Sequence, residues 1–127
     1  AHSQKWVSLV CLGALGGRID QELCNLSAME KLMRQNNQRF IALGTTSLMF
    51  LIKDEEKAEI RISKQCDRDK VGIFCFGKST VTTSGFKWNI NPKDCPPLEW
   101  GSFISSSNTI LENPVTIHTQ KQLFFKG

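Results

Sequence analysis

Aromatic residues interleaved with lysines are the residues of this sequence that most clearly suggest chemistry. Phe74 and Phe76 alternate along one short apolar segment, and Phe86 and Trp88 alternate along a later one. Exposed rings on a sheet stack nucleic-acid bases or a single nucleotide, while neighbouring lysines hold the phosphates. The residues that would form such a surface are Phe74, Phe76, Lys78, Phe86, Lys87 and Trp88.

The same aromatic residues have a simpler interpretation as part of the hydrophobic core. Large aromatic side chains are mostly buried in folded proteins. Lys87 and Asn89 flank Trp88 and give that segment one polar face. We therefore expect the face that carries Phe86, Trp88 and Ile90 to point inward, with the exposed binding platform as the alternative.

A second candidate surface follows a rigid loop that contains Pro96 and Pro97. Each proline removes a backbone donor and fixes φ, which excludes the loop from a sheet interior. Trp100 ends this loop, and tryptophan is enriched at the hot spots of protein interfaces. The segment Leu123–Phe125 also offers a strand edge that a partner could extend. Both features could serve a protein partner, while the expected role of Trp100 is to cap the core beneath the loop.

Residue patterns that would support catalysis are weak. His118 has no local signature that pairs it with a nucleophile, although a base must lie within hydrogen-bond reach of the group it activates. The adjacent carboxylates at Asp54–Glu56 fall in a predicted hairpin turn, where they are solvated rather than held in a cleft with separated pKa values. We therefore predict that the protein is not an enzyme.

Five cysteines stand at irregular positions and give no disulfide or zinc framework. An odd count leaves at least one thiol unpaired within the chain, and none of them forms Cys-x-x-Cys. A zinc site would have to gather Cys66, Cys75, Cys95 and His118, whereas structural zinc sites take their ligands in close pairs. We expect buried thiols, no metal, no cofactor, and an intracellular location that is cytoplasmic or nuclear.

Length and composition predict a single globular domain. The chain has 127 residues, of which 40% are hydrophobic and 22% are charged, which is enough to bury a core. No apolar run approaches the ~20 residues that span a bilayer, so we expect no membrane contact. The net charge of +4 is spread along the chain without a dense basic block. We expect one domain over residues 1–127, taken from a longer protein, with residues 1–3 left over from cloning.

The segment Arg39–Lys64 predicts the centre of the fold. It contains three short strands that fold back on one another, with turns at Gly44–Thr46 and Asp54–Lys57. The longest apolar run, Leu48–Ile52, is typical of a central strand that is buried on both faces.

One helix is predicted before this segment, and short strands surround it. Ser27–Glu30 fits a capping box at the start of a helix, and apolar residues then recur at helical spacing, at Leu26, Met29, Leu32 and Met33. Strands are predicted at Lys5–Leu12, Val71–Gly77 and Val81–Ile90, with others after the proline loop. One helix and about nine strands predict an α+β fold, predominantly antiparallel β, in which a sandwich, barrel or bent sheet packs against the helix.

These observations together predict a non-catalytic interaction module that binds a protein partner. The alternative is a module that binds single-stranded RNA or a nucleotide through a sheet face of aromatic residues and lysines. The candidate binding residues are Phe74, Phe76, Lys78, Phe86, Lys87, Trp88 and Trp100.

Overall fold

The structure, a computed structural model, describes residues 8–36, 39–63 and 67–127. The chain divides into two compact units, Ala1–Leu51 and Ile52–Gly127. In chain order the elements are β1 Ser8–Leu12, α1 Ile19–Asn36, β2 Arg39–Leu43, β3 Leu48–Ile52, β4 Lys57–Ile60, β5 Val71–Phe74, β6 Lys78–Ser79, β7 Val81–Ser84, β8 Leu98–Glu99, β9 Ser105–Asn108, β10 Val115–Thr119 and β11 Leu123–Lys126.

The first unit begins with a β-α-β arrangement. β1 and β2 lie parallel, with Val10 opposite Ile41. Parallel strands cannot be joined by a tight turn and need a crossover, which α1 supplies. A glycine-rich turn at Gly13–Gly17 separates β1 from α1. The predicted start of the first strand, at Lys5–Val7, lies outside the described residues.

The helix α1 begins at Ile19, before the predicted capping box at Ser27, and it includes the turn at Asp20–Cys24. Asp20 stands in its first turn, where a carboxylate interacts favourably with the positive end of the helix dipole. The predicted capping box therefore lies inside the helix. Leu32 is exposed, contrary to the predicted buried stripe, while the residues that the helix does bury are Leu26, Met29 and Met33.

The predicted strand–turn–strand of β2 and β3 is confirmed. The two strands pair antiparallel, with Ile41 opposite Phe50. The backbone N–H of Gly44 closes the turn by donating to the carbonyl oxygen of Ser47 at 2.8 Å. Leu51 is fully buried, whereas Phe50 is half-buried. Met49 and Leu51 are buried on one face of β3, while on the other face Ile52 is buried and Leu48 and Phe50 are half-buried.

The second unit is built from three groups of antiparallel strands. β10 lies between β4 and β7, with Ile117 opposite Ala58 on one side and Thr83 on the other. β5 lies between β9 and β11, with Ile73 opposite Phe125. β6 pairs with β8. β4 therefore pairs with β10, which lies far along the chain. The prediction that it folds back on the other strands of Arg39–Lys64 is wrong.

The predicted strand Val81–Ile90 is shorter than expected because the chain turns at Gly85. The φ angle of Gly85 is 91°, which glycine adopts readily and L side chains rarely do. A Cβ at this position would also approach the Cγ1 atom of Val115 to 2.9 Å. Gly85 thus ends β7 and begins a turn that carries Phe86–Ile90.

The predicted fold class is confirmed. The described residues form one helix and eleven strands, and most strand pairs are antiparallel. No helix within residues 8–36, 39–63 and 67–127 is both long and apolar enough to cross a membrane. That residues 1–127 are a single domain from a longer protein stays a prediction.

Candidate functional site

The predicted aromatic and lysine residues do not form one surface. Phe74 stacks on the buried Phe124 with ring centroids 5.0 Å apart. Phe76 contacts both of these rings and also Trp100, whose centroid lies 5.2 Å away. Phe86 is only 5% exposed and belongs to the core. Trp100 is 54% exposed, so this ring cluster reaches the surface at that residue.

Lys87 and Trp88 lie on the turn that follows Gly85. Trp88 is 57% exposed, although its neighbours Phe86 and Ile90 are buried. The expectation that all three face inward is therefore wrong, because strand alternation stops where β7 ends. Lys78 is an exposed residue of β6.

A groove of about 540 Å³ opens beside Trp88, a volume within the range of small-molecule sites. Its lining residues are Lys87, Trp88, Asn89, Ile90, Cys95, Phe103, Ile104, Ser105, Ser106 and Asn108. None of these described residues is Asp or Glu, so Lys87 supplies the formal charge of the lining. A neighbouring cavity of about 10 Å³ is comparable to the space one water needs and is too small for a ligand.

Asn108 fixes the backbone of Trp88 at both of its polar groups. Its Oδ1 atom accepts the backbone N–H of Trp88 at 3.1 Å, and its Nδ2 group donates to the carbonyl oxygen of Trp88 at 2.8 Å. Oδ1 also accepts the N–H of Thr109 at 2.9 Å. Asn108 is 5% exposed. Hydrogen bonds of this kind are strengthened where water is excluded, so a buried amide holds the backbone that carries the indole.

A second asparagine closes the turn. The Oδ1 atom of Asn89 accepts the backbone N–H of Phe86 at 3.0 Å and the hydroxyl of Thr83 at 3.4 Å. The hydroxyl oxygen of Thr83 in turn accepts the backbone N–H of Ile90 at 2.8 Å. The turn is therefore organised by side chains of its own and of neighbouring strands before any ligand binds.

The groove presents an aromatic face that already attracts a cation. The Nζ atom of Lys87 lies 4.7 Å from the centroid of the Trp88 ring, within the range of a cation–π interaction. Ser105 and Ser106 line the same groove, and a serine hydroxyl can donate or accept a hydrogen bond. This arrangement can stack a planar or cationic heterocycle and hydrogen-bond its polar edge.

The other sequence candidates do not gather into a site. His118 is exposed on β10, where it pairs with Lys57 and Thr82. Cys66 lies outside the described residues. In the part of the chain that the structure describes, no three His, Cys, Asp or Glu residues come close enough to hold a metal ion. No disulfide joins the described cysteines, which are Cys11, Cys24, Cys75 and Cys95.

The strand that carries Asn108 was not predicted from the sequence. Ser105–Asn108 is predicted as a turn because serine and asparagine are common in turns, but it forms β9 and pairs with β5. Tertiary pairing overrides such local preferences. Asn108 bonds to a residue 20 positions away, so no local pattern marks it as a positioning residue.

A protein-family model matches residues 57–124, which is more than half of the chain and includes all the groove residues. The family is described as "Thiamin pyrophosphokinase, vitamin B1 binding domain". Thiamine pyrophosphokinase 1 of Oryza sativa subsp. japonica is 31% identical over 119 residues, covering 92% of this chain and 43% of the relative. Thiamine pyrophosphokinase 1 of Arabidopsis thaliana is 28% identical over 121 residues, with 94% and 43% covered. The chain thus spans less than half the length of these curated relatives.

Solved structures share the fold. Thiamin pyrophosphokinase from Candida albicans matches with a TM-score of 0.81 at 15% identity, over 99% of this chain and 45% of that one. Yeast thiamin pyrophosphokinase matches with a TM-score of 0.78 at 24% identity, over 93% of this chain and 38% of that one.

These matches overturn the functional prediction made from the sequence. The predicted non-catalytic module that binds a protein partner is wrong, as is the prediction that the protein is not an enzyme, because the matched family and relatives are named as pyrophosphokinases. The prediction failed because it required a recognisable acid–base or nucleophile pattern, and this sequence shows none.

Proposed function

Because this chain belongs to the thiamin pyrophosphokinase, vitamin B1 binding domain family, we propose that its groove beside Trp88 binds thiamine as the acceptor of a pyrophosphate group. The observation that carries the proposal is the position of the family match. Residues 57–124 enclose the turn with Lys87 and Trp88, the β9 strand opposite it, and the full lining of the groove.

The chemistry of thiamine suits the lining of this groove. Thiamine joins a thiazolium ring, which carries a permanent positive charge, to a planar aminopyrimidine. The indole of Trp88 offers a π face to either ring, and cation–π attraction is strongest for tryptophan. Phe103 and Ile104 supply apolar contact, while Ser105 and Ser106 can hydrogen-bond the nitrogen atoms of the pyrimidine.

The contribution of the groove to the reaction is to hold the acceptor. A pyrophosphokinase transfers a diphosphoryl group from a nucleoside triphosphate to a hydroxyl group: the hydroxyl oxygen bonds to the β-phosphorus and loses its proton, the bond from the β-phosphorus to the oxygen that bridges it to the α-phosphorus breaks, and a nucleoside monophosphate leaves. Catalysis of phosphoryl transfer depends mainly on positioning and on stabilising negative charge. Asn89 and Asn108 hold the backbone of the turn that carries Trp88, and a thiamine stacked on that residue would present its hydroxyl to the donor from a defined position. The proposal thus includes a nucleotide as second substrate. We also propose an intracellular location for the protein.

Binding of thiamine is testable by tryptophan fluorescence. We expect thiamine to quench the emission of the chain saturably, because its rings stack on an exposed indole. The Trp100→Phe variant removes the other exposed indole that the structure describes, and it should keep the response with the same midpoint. Choline, a quaternary ammonium without aromatic rings, is the matched ligand control and should not saturate in the thiamine range. The absence of a saturable change with thiamine would overturn the proposal.

A further inference from the structure

The side chain of Lys87 occupies the surface that thiamine would use. Its Nζ atom lies 4.7 Å from the centroid of the Trp88 ring. Its backbone is fixed, since the Lys87 N–H donates to the carbonyl oxygen of Thr109 at 2.8 Å. Because the backbone of Lys87 is held next to Trp88, its ammonium group stays near the ring. The ring face is therefore covered by a cation of the protein itself.

Two cations cannot share one indole face at low cost. The thiazolium of thiamine gains cation–π energy only where the ammonium has moved away, and the two positive charges repel each other at close range. The described residues of the groove lining include no carboxylate to offset this repulsion. Binding of thiamine on this face therefore has to displace Lys87.

We propose that Lys87 is a specificity-determining residue, whose ammonium competes with the thiazolium cation of thiamine for the ring of Trp88. This inference rests on the proposed function and goes beyond it, because it concerns how the groove discriminates between ligands by charge. The ammonium weakens binding of a cationic ligand and leaves binding of a neutral ligand of similar shape nearly unchanged.

The test compares thiamine with thiochrome, its neutral fused-ring oxidation product, in wild type and Lys87→Met. Methionine keeps the length of the side chain and removes the charge. An exposed cation–π pair contributes a modest free energy, so we expect thiamine to bind about two- to fivefold more tightly to Lys87→Met. The affinity for thiochrome should change by a smaller factor, because the ammonium does not repel a neutral ligand. Isothermal titration calorimetry measures both.

Two variants control for charge and length. Lys87→Arg keeps a cation beside the ring and should therefore not reproduce the gain in thiamine affinity expected for Lys87→Met. Lys93→Met removes the same unit of charge from an exposed lysine that does not line the groove, so it should leave both affinities unchanged. Thiamine affinity that is unchanged or weaker in Lys87→Met would overturn the inference, as would an equal gain for thiochrome.

A readout without thiamine separates this inference from the proposed function. In a Trp100→Phe background, Lys87→Met should increase quenching of tryptophan fluorescence by Cs⁺ and decrease quenching by iodide, because the ammonium no longer covers the indole. Neutral acrylamide should quench both proteins alike. If thiamine fails to bind while the Cs⁺ response appears, the proposed function is wrong and Lys87 still occupies the ring. An unchanged Cs⁺ response shows that Lys87 does not occupy it.

Discussion

Replacing Trp88 with alanine is expected to weaken thiamine binding by about ten- to one-hundredfold, the range found when a ring that stacks on a planar base is removed. The indole is the largest flat surface of the groove, and its exposed face is where a heterocycle can stack. Because Trp88 is 57% exposed, its removal should change the free energy of unfolding little. Isothermal titration calorimetry with thiamine measures the loss.

Two further variants make this result specific. Trp88→Phe keeps an aromatic face with a weaker cation–π attraction, so its loss of affinity should be smaller than that of the alanine variant. Trp100→Ala removes a similarly exposed indole, which contacts Phe76 and does not line the groove. It should bind thiamine as wild type does. An affinity of Trp88→Ala within twofold of wild type would exclude stacking on this ring.

The second large effect is expected at Asn108, and it combines stability with binding. Asn108→Ala removes the partners of the Trp88 N–H, the Trp88 carbonyl and the Thr109 N–H. Leaving such groups unsatisfied costs about 1–3 kcal/mol each where they stay dry, and water from the open groove offsets part of this. We expect the free energy of unfolding to fall by about 2–3 kcal/mol. Thiamine affinity should fall too, since the indole is no longer held.

Asn108→Asp separates the acceptor role of the amide oxygen from the donor role of the Nδ2 group. The carboxylate still accepts the two N–H groups but places an oxygen against the carbonyl of Trp88, where the Nδ2 group donates now. Its stability should therefore also fall. Asn91→Ala is the matched control, because Asn91 is exposed and its side chain accepts only the nearby N–H of Lys93 among the bonds described. Urea denaturation measures all three. A loss below about 0.5 kcal/mol in Asn108→Ala would contradict the positioning role, since surface substitutions commonly fall in that range.

Elements with strong local signals were predictable from the sequence. The apolar run of β3 and the glycine turn before it identify a buried strand and its partner β2. The helix was recognised from the spacing of Leu26, Met29 and Met33. Its start was misplaced, because a capping-box pattern at Ser27 also fits the middle of a helix. Local patterns thus identify the type of an element more reliably than its ends.

The candidate site was only partly predictable because long-range contacts define it. Lys87 and Trp88 were selected by residue type, but the prediction that Trp88 faces inward assumed a strand through Ile90. Gly85 ends that strand with a positive φ angle, and no rule of alternation reveals this. Asn108 acts through hydrogen bonds to a residue 20 positions away. A short run of serines and an asparagine gives no sign of such a role.

The measurement that tests the central claim most directly is a titration of thiamine followed by the indole N–H signals of the tryptophans in ¹H–¹⁵N NMR spectra. Each indole gives a separate signal, and the variants Trp88→Phe and Trp100→Phe assign those of the two exposed tryptophans that the structure describes. We predict that the Trp88 signal shifts saturably with thiamine and that the Trp100 signal stays in place. A shift at Trp100 with an unmoved Trp88 signal, or no shift at either, would contradict the assignment of thiamine to the groove beside Trp88.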